Sequence, residues 1–288
     1  MLEMLKGVIW DSLSDSIKLL PFLFFTYLIM EYLEHMAGDK MQAAIRKSGK
    51  GGPIFGSILG AFPQCGFSAA ASNLYAGRII TMGTLLSVYL STSDEMLPIL
   101  ISEKAGVGLI LRILGTKIVI GMAAGFAVDI IMNKILKKKN EKLRIEHLCE
   151  QHNCHCENGI LRSTLHHTLE IFIYILLISF VLNFLVAAVG KELLISIMSG
   201  RPVIGAVIAG VIGLIPNCAA SVVITQLYLE GFLSTGAMMA GLLVGAGVGI
   251  LVLLRVNDNT KENVRVIALL YGIGVIAGIL MELLGISF

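Results

Sequence analysis

"GAFPQCGFSAAASNLYAG", residues 60–77, lies inside a long apolar run, yet it carries a proline and a row of polar side chains. Pro63, Gln64, Cys65, Ser68, Ser72 and Asn73 interrupt a segment that otherwise suits a bilayer. A second stretch, "GLIPNCAASVVITQLYLEG", residues 213–231, has the same order of chemistry. Pro216, Asn217, Cys218, Ser221, Thr225 and Gln226 each follow their counterparts by 153 residues, and Leu227-Tyr228 follows Leu74-Tyr75 at the same spacing. The chain therefore contains an internal repeat centred on a polar break.

Composition sets the class. Of 288 residues, 56% are hydrophobic and 15% charged, against about 45–50% and about 25% in soluble domains. Mean hydropathy is +0.84. Apolar runs of about 20 residues can span a bilayer, and such runs lie near residues 14–35, 53–76, 79–101, 105–132, 168–189, 202–229, 232–254 and 265–286. The expected fold is an all-α integral membrane protein whose principal partner is the lipid bilayer. The segment before residue 20 has acidic residues where a signal peptide needs basic ones, and with Trp10 it reads as a short interfacial helix. A net charge of +2 with no basic stripe argues against a nucleic-acid partner.

The repeat extends beyond the two breaks. "LSDSIKLLPFLFFTYLIMEYL" from Leu13 aligns with "LHHTLEIFIYILLISFVLNFL" from Leu165, and "GTKIVIG" at Gly115 with "GIGVIAG" at Gly272. This gives a first membrane repeat over 1–132, a polar linker over 133–162 and a second membrane repeat over 163–288.

Basic residues collect on the cytoplasmic side of membrane proteins. If all eight runs were plain spans, the loop with Lys40, Arg46, Lys47 and Lys50 would lie opposite the basic linker. If each Pro-x-Cys segment instead enters and returns as a broken helix hairpin, fifteen of the twenty-two Lys and Arg fall on one side. That side holds residues 40–50, Arg78, the linker and residues 255–265, and is expected to be cytoplasmic. Each half then has an odd number of crossings, so the repeats have inverted topology, with about ten membrane helices or half-helices in all. Inverted repeats with discontinuous helices are the architecture of secondary transporters.

The breaks carry the candidate substrate site. Proline frees a backbone carbonyl one turn earlier. Cys65 and Cys218 offer thiols, while Gln64, Asn217, Ser68, Ser221, Asn73 and Gln226 offer neutral polar groups. Isolated polar residues of this kind often serve only as glue between helices; two copies in register favour a site. "YLSTSDEMLP" adds Asp94 and Glu95 toward the far end of the third run, facing Gly247 and Val248 in the repeat, and intramembrane carboxylates attract cations. Lys117 stands halfway along the fourth run, where it is expected to neutralise Asp94, Glu95 or Asp129; Arg112 is near enough to an end to snorkel. Glu31, Glu34 and His35 at the end of the first span are a possible metal vestibule or plain interfacial residues.

The linker contains "HLCEQHNCHCE", with His147, Cys149, His152, Cys154, His155 and Cys156 within ten residues. A short Cys/His tract on a reducing face is a metal-capture segment, and its spacing fits no closed zinc finger. No phosphate-binding loop, HExxH motif or catalytic triad is recognisable, so neither an enzyme nor a resident cofactor is expected, the metal being cargo.

The paired "FPQCGFS" and "IPNCAAS" motifs, the Cys/His linker and the following "GILRSTLHHTLEIF" together resemble the ten-transmembrane heavy-metal exporter family, whose members are labelled arsenic efflux proteins or manganese transporters. The resemblance runs over nearly the whole chain. It implies a multi-pass exporter of the bacterial inner membrane, with Cys65 and Cys218 as first candidates for binding the metal or metalloid ion. Homo-oligomers are compatible with it. Two other readings stay open: a thiol–disulfide oxidoreductase using Cys65 and Cys218, and a permease for a sulfur-containing or other small anion.

Overall fold

The computed structural model describes residues 51–63, 66–93, 96–135 and 202–288, with scattered helical positions between 13 and 28 and between 164 and 181. Among the described residues there are helices and no strands. The continuous stretches hold α1 (Gly52–Gly60), α2 (Gly66–Ala76), α3 (Met82–Ser91), α4 (Met96–Ser102) and α5 (Val107–Ile135). The second half holds α6 (Pro202–Gly213), α7 (Cys218–Leu229), α8 (Thr235–Val244), α9 (Gly249–Val256) and α10 (Thr260–Leu283). Among the described residues three segments are long and apolar enough to cross a membrane: Val107–Met132, Thr235–Val256 and Thr260–Leu283.

The repeat is kept down to single hydrogen bonds. After α2, Gly77 N–H donates to Asn73 C=O, Arg78 N–H to Tyr75 C=O and Ile79 N–H to Leu74 C=O. After α7, Glu230, Gly231 and Phe232 make the same bonds to Gln226, Tyr228 and Leu227. This is the helix stop that needs one left-handed residue; Arg78 (φ 61°) supplies it in one half and Gly231 (φ 79°) in the other.

Near the Pro-x-Cys segments α1 ends at Gly60 and α2 begins at Gly66, while α6 ends at Gly213 and α7 begins at Cys218. The third run and its counterpart also break, between Ser91 and Met96 and between Val244 and Gly249, where plain spans were expected. In the second of these Gly247 takes φ 54°, a conformation that side chains resist.

Packing follows the small residues. Gly52, Gly56 and Gly60 of α1 meet Thr84, Ser87 and Ser91 of α3 in that order, so the two helices run side by side in one direction. Ala209 and Gly213 of α6 meet Gly241 of α8, with Gly213 C=O next reaching Gly245. The backbones of α3 and α5 touch where Gly83 meets Gly125, and those of α8 and α10 where Gly236 meets Gly278. Carboxylates close the same two junctions. Asp129 accepts from Gly83 N–H at 2.9 Å and from Thr81 Oγ1 at 2.8 Å, and Glu282 accepts from Gly236 N–H at 3.2 Å. These pairs keep the 153-residue spacing to the end of the chain. The "GTKIVIG"/"GIGVIAG" match was thus out by four residues, one helical turn, which preserves the face but not the position. Asp129 also serves the start of α3 and was wrongly offered as a partner for Lys117.

Between halves, α2 packs on α9 and α4 on α7. Ala69 and Ala76 form an apolar seam with Val248, Val252 and Val256, and Ile175 joins it. At one end of this seam Arg78 forms an ion pair with Glu262 at 2.8 Å and lies 5.6 Å from the Tyr75 ring.

Gly125 tests the backbone contact. An added Cβ would lie 2.7 Å from Gly83 C=O and 2.9 Å from Pro53 Cβ, whereas one at Gly115 on the same helix meets nothing within 4 Å. Gly125→Ala is expected to cost about 1–3 kcal/mol by overpacking. Gly115→Ala is expected to be neutral or to stabilise by up to about 1 kcal/mol. Thermal unfolding of both variants in detergent checks the contrast.

Candidate functional site at the helix breaks

The centre of the protein is polar where the breaks meet. Ser68, Ser72, Asn73, Tyr89, Ser91, Thr92, Ser93 and Lys117 are all buried, although the neighbouring side chains are apolar. Several of these hydroxyls are satisfied within their own helix: Ser87 donates to Thr84 C=O, Ser91 to Ser87 C=O and Thr92 to Val88 C=O. Such bonds let hydroxyls sit in an apolar core and loosen the helix that bears them.

Three side chains of this polar centre cross between the halves instead. Ser72 Oγ lies 2.7 Å from Tyr89 Oη, 2.8 Å from Gly249 C=O and 2.7 Å from Ser68 C=O. Tyr89 Oη is 3.0 Å from Gly249 C=O. The two hydroxyl protons are shared among the Ser68 carbonyl, the Gly249 carbonyl and the neighbouring hydroxyl oxygen. In the second half only the local part survives, as Thr225 Oγ1 donates to Ser221 C=O at 2.7 Å. The third crossing group is Lys117, 1% exposed. Its ammonium donates to Thr92 C=O in the first half and to Leu242 C=O, at 2.8 Å, in the second. Both carbonyls stand at helix ends. Thr92 follows the last residue of α3, and the last helical bond of α8 is Gly245 N–H to Gly241 C=O, one residue short of Leu242.

The sequence-expected residues fall into three groups. Ser68, Asn73, Asn217 and Ser221 are buried and Gln226 is half-buried, on the half-helices that follow the breaks. Asn217 Oδ1 caps α7 by accepting from Ala219 N–H at 3.3 Å, a structural use of that amide. Cys218 begins α7. Gln64, Cys65, Asp94, Glu95, Glu31, Glu34, His35 and the linker residues His147 to Cys156 lie outside the described residues. The flanks of the acidic pair, Ser93 and Met96, are each 1% exposed. Among the described residues no group of three or more His, Cys, Asp or Glu comes together. Sequence reasoning missed Tyr89 and the Thr92, Leu242 and Gly249 carbonyls. A tyrosine in an apolar run reads as core, and a carbonyl has no sequence signal except the break that frees it.

A family model described as "Putative, 10TM heavy-metal exporter" matches residues 5–194. The chain belongs to this family. The match takes in the first half, the linker and the opening of the second half, and ends before α6. No curated protein and no solved structure matches. Membership agrees with the apolar helices and makes this a multi-pass membrane protein of a heavy-metal exporter type.

The exporter's centre depends on one close approach. A Cβ on Gly249 would lie 2.8 Å from Ser68 Cβ and 2.9 Å from the fully buried Tyr89 ring. Gly249→Ala is expected to destabilise by about 1–3 kcal/mol, more than Tyr89→Phe, which loses one hydroxyl and about 0.5–1.5 kcal/mol. Unfolding midpoints of the two variants in one detergent give the ranking.

Proposed function

We propose that this chain is a secondary transporter that exports a heavy-metal or metalloid ion from the cytoplasm by alternating access between two inverted repeats. The observation that carries the reading is the meeting of breaks from both halves at Ser72, Tyr89, Lys117 and the carbonyls they hold. Unwound backbone at paired breaks is where secondary transporters bind cargo.

Helix directions support the topology. Because α1 and α3 run the same way and a tight turn joins α2 to α3, α2 returns along the path that α1 entered. The same register in α6 and α8 supports a second re-entrant pair. Arg78 precedes α3 and Glu262 follows α9, yet they pair. The span α3–α4 therefore starts at the face where α8–α9 ends, which supports opposed directions for the two halves. Reporter fusions or thiol labelling should place residues 40–50, 78, 134–162 and 255–265 in the cytoplasm. Residues 40–50 opposite 134–162 would sink the inverted arrangement.

Cys65, Cys218, Gln64, Asp94 and Glu95 border the breaks and are the proposed cargo contacts, with the His147–Cys156 tract delivering metal from the cytoplasm. Manganese would use oxygen ligands; arsenite or cadmium would use the thiols. Growth and metal accumulation, measured metal by metal in cells with and without the protein, test export directly. Cys65→Ser and Cys218→Ser should each weaken export of a soft ion more than of manganese. A thiol–disulfide enzyme would instead lose every activity with either change, and full activity in the double variant would remove both thiols from the mechanism.

A further inference from the structure

Lys117 has a placement that the fold itself does not require. At its repeat counterpart the chain has Leu270, fully buried, so an apolar side chain packs adequately at this level of the long helix. In the first half the position carries an ammonium, and among its contacts are the Thr92 and Leu242 carbonyls. These come from opposite halves, and each stands at the C-terminal end of a broken helix. Helix C-termini carry partial negative charge and favour cations. In the same broken run as Leu242, Gly249 C=O takes bonds from two neutral hydroxyls.

Carbonyl oxygens freed at the C-terminal ends of paired half-helices are the ligands with which transporters strip water from a metal cation. Here a cation fixed to the chain is bonded to two of them. We propose that the Thr92 and Leu242 carbonyls are ligands for the exported ion, a divalent cation with a preference for oxygen, and that the Lys117 ammonium is a tethered cation holding them while cargo is absent. The assignment rests on the export reading and narrows it. Carbonyl and hydroxyl oxygens suit a manganese-like ion, whereas arsenite and cadmium call for thiolate. Cargo and ammonium cannot share two carbonyls, so arrival of the metal displaces Lys117 and frees the link it makes between halves. Occupancy of the site and the contact between repeats are thereby coupled through one side chain.

The test uses the purified full-length chain in detergent, with Mn²⁺ alone as probe and loss of the free-ion paramagnetic resonance signal as readout. Lys117→Met keeps the length of the side chain and removes its charge, and should bind Mn²⁺ on the order of tenfold more tightly than the wild type. Arg112→Gln removes an exposed charge from the same helix and should leave binding unchanged. Lys117→Arg keeps a permanent charge and should weaken Mn²⁺ binding and abolish export. Equal or weaker Mn²⁺ binding by a folded Lys117→Met overturns the tethered cation, as does a gain that appears for Cd²⁺ and not for Mn²⁺. Should Lys117→Met fail to fold, unchanged Mn²⁺ binding by Lys117→Arg overturns it. Metal export by the wild type together with unchanged binding in Lys117→Met rejects this inference and leaves the export reading standing. The reverse, tighter Mn²⁺ binding by Lys117→Met in a protein that exports no metal, rejects export and keeps the carbonyl site.

Discussion

A carbonyl freed from its helix at the depth of a bilayer has no water to bond, and leaving it unmet costs several kcal/mol. Among the described residues such groups are freed at four breaks, and the partners that meet them organise the centre. Some are local, as with the Ser91 and Thr92 hydroxyls bonded back to their own helix, while Asn217 Oδ1 does the converse and accepts from Ala219 N–H at the start of α7. Others come from across the molecule. Leu242 C=O, at the end of α8, is met by Lys117, and Gly249 C=O, in the first turn of α9, takes additional bonds from Ser72 and Tyr89 of the first half. Among the described residues the first half supplies a partner for the Leu242 carbonyl. The breaks thus do more than open a polar site, since satisfying them binds the two repeats together.

Two kinds of contact divide the work. Inside each half, glycines let α3 touch α5 and α8 touch α10 through the backbone, and a carboxylate from the long helix ties down the start of the central one. Such contacts leave little room for relative movement, because interiors at crystal-like density deform poorly. Between halves lie part of the main apolar core, a seam of alanine and valine, a few hydrogen bonds and the Arg78–Glu262 pair. A rocking motion of the proposed kind would spare the glycine contacts and exchange the polar ones. The residues that meet the freed carbonyls are then also those that set how firmly the halves are held.

Much of this was legible in the sequence, for physical reasons. A constant spacing between two polar breaks in apolar runs announced the repeat, because prolines and amides are conspicuous where a bilayer demands apolar side chains. The second pair of breaks was harder to see. In the first half "STSDE" reads as an acidic helix end, and in the second "GAGVG" reads as a small-residue packing stretch. Only the left-handed Gly247 and the matching interruption after Ser91 show them to be one feature. Near the end of the repeat, a four-residue shift conserves the helix face, so glycine patterns alone could not fix the alignment. The touching pairs Gly83–Gly125 and Gly236–Gly278 do. Contacts such as Tyr89 with Gly249 were invisible because the acceptor is backbone and the pair is 160 residues apart.

The duplication is faithful in backbone and unequal in charge. Arg78 faces Gly231 across the repeat, Lys117 faces Leu270, Tyr89 faces Leu242, Asp94 faces Gly247 and Glu262 faces Leu109. Four of these five polar members lie in the first half and the fifth, Glu262, binds to it. A symmetric scaffold with two copies of a buried ammonium would bear twice the desolvation cost and set like charges near each other at its centre. One copy avoids both penalties and still reaches carbonyls from each side. In the proposed inverted arrangement the Arg78–Glu262 pair would tie the halves at one face, while its repeat counterparts, Gly231 and Leu109, form no ionic twin at the other. In the proposed transporter of two inverted copies the backbone would favour neither direction, so a preference between inward- and outward-facing states would have to come from side chains that break the symmetry, as these do.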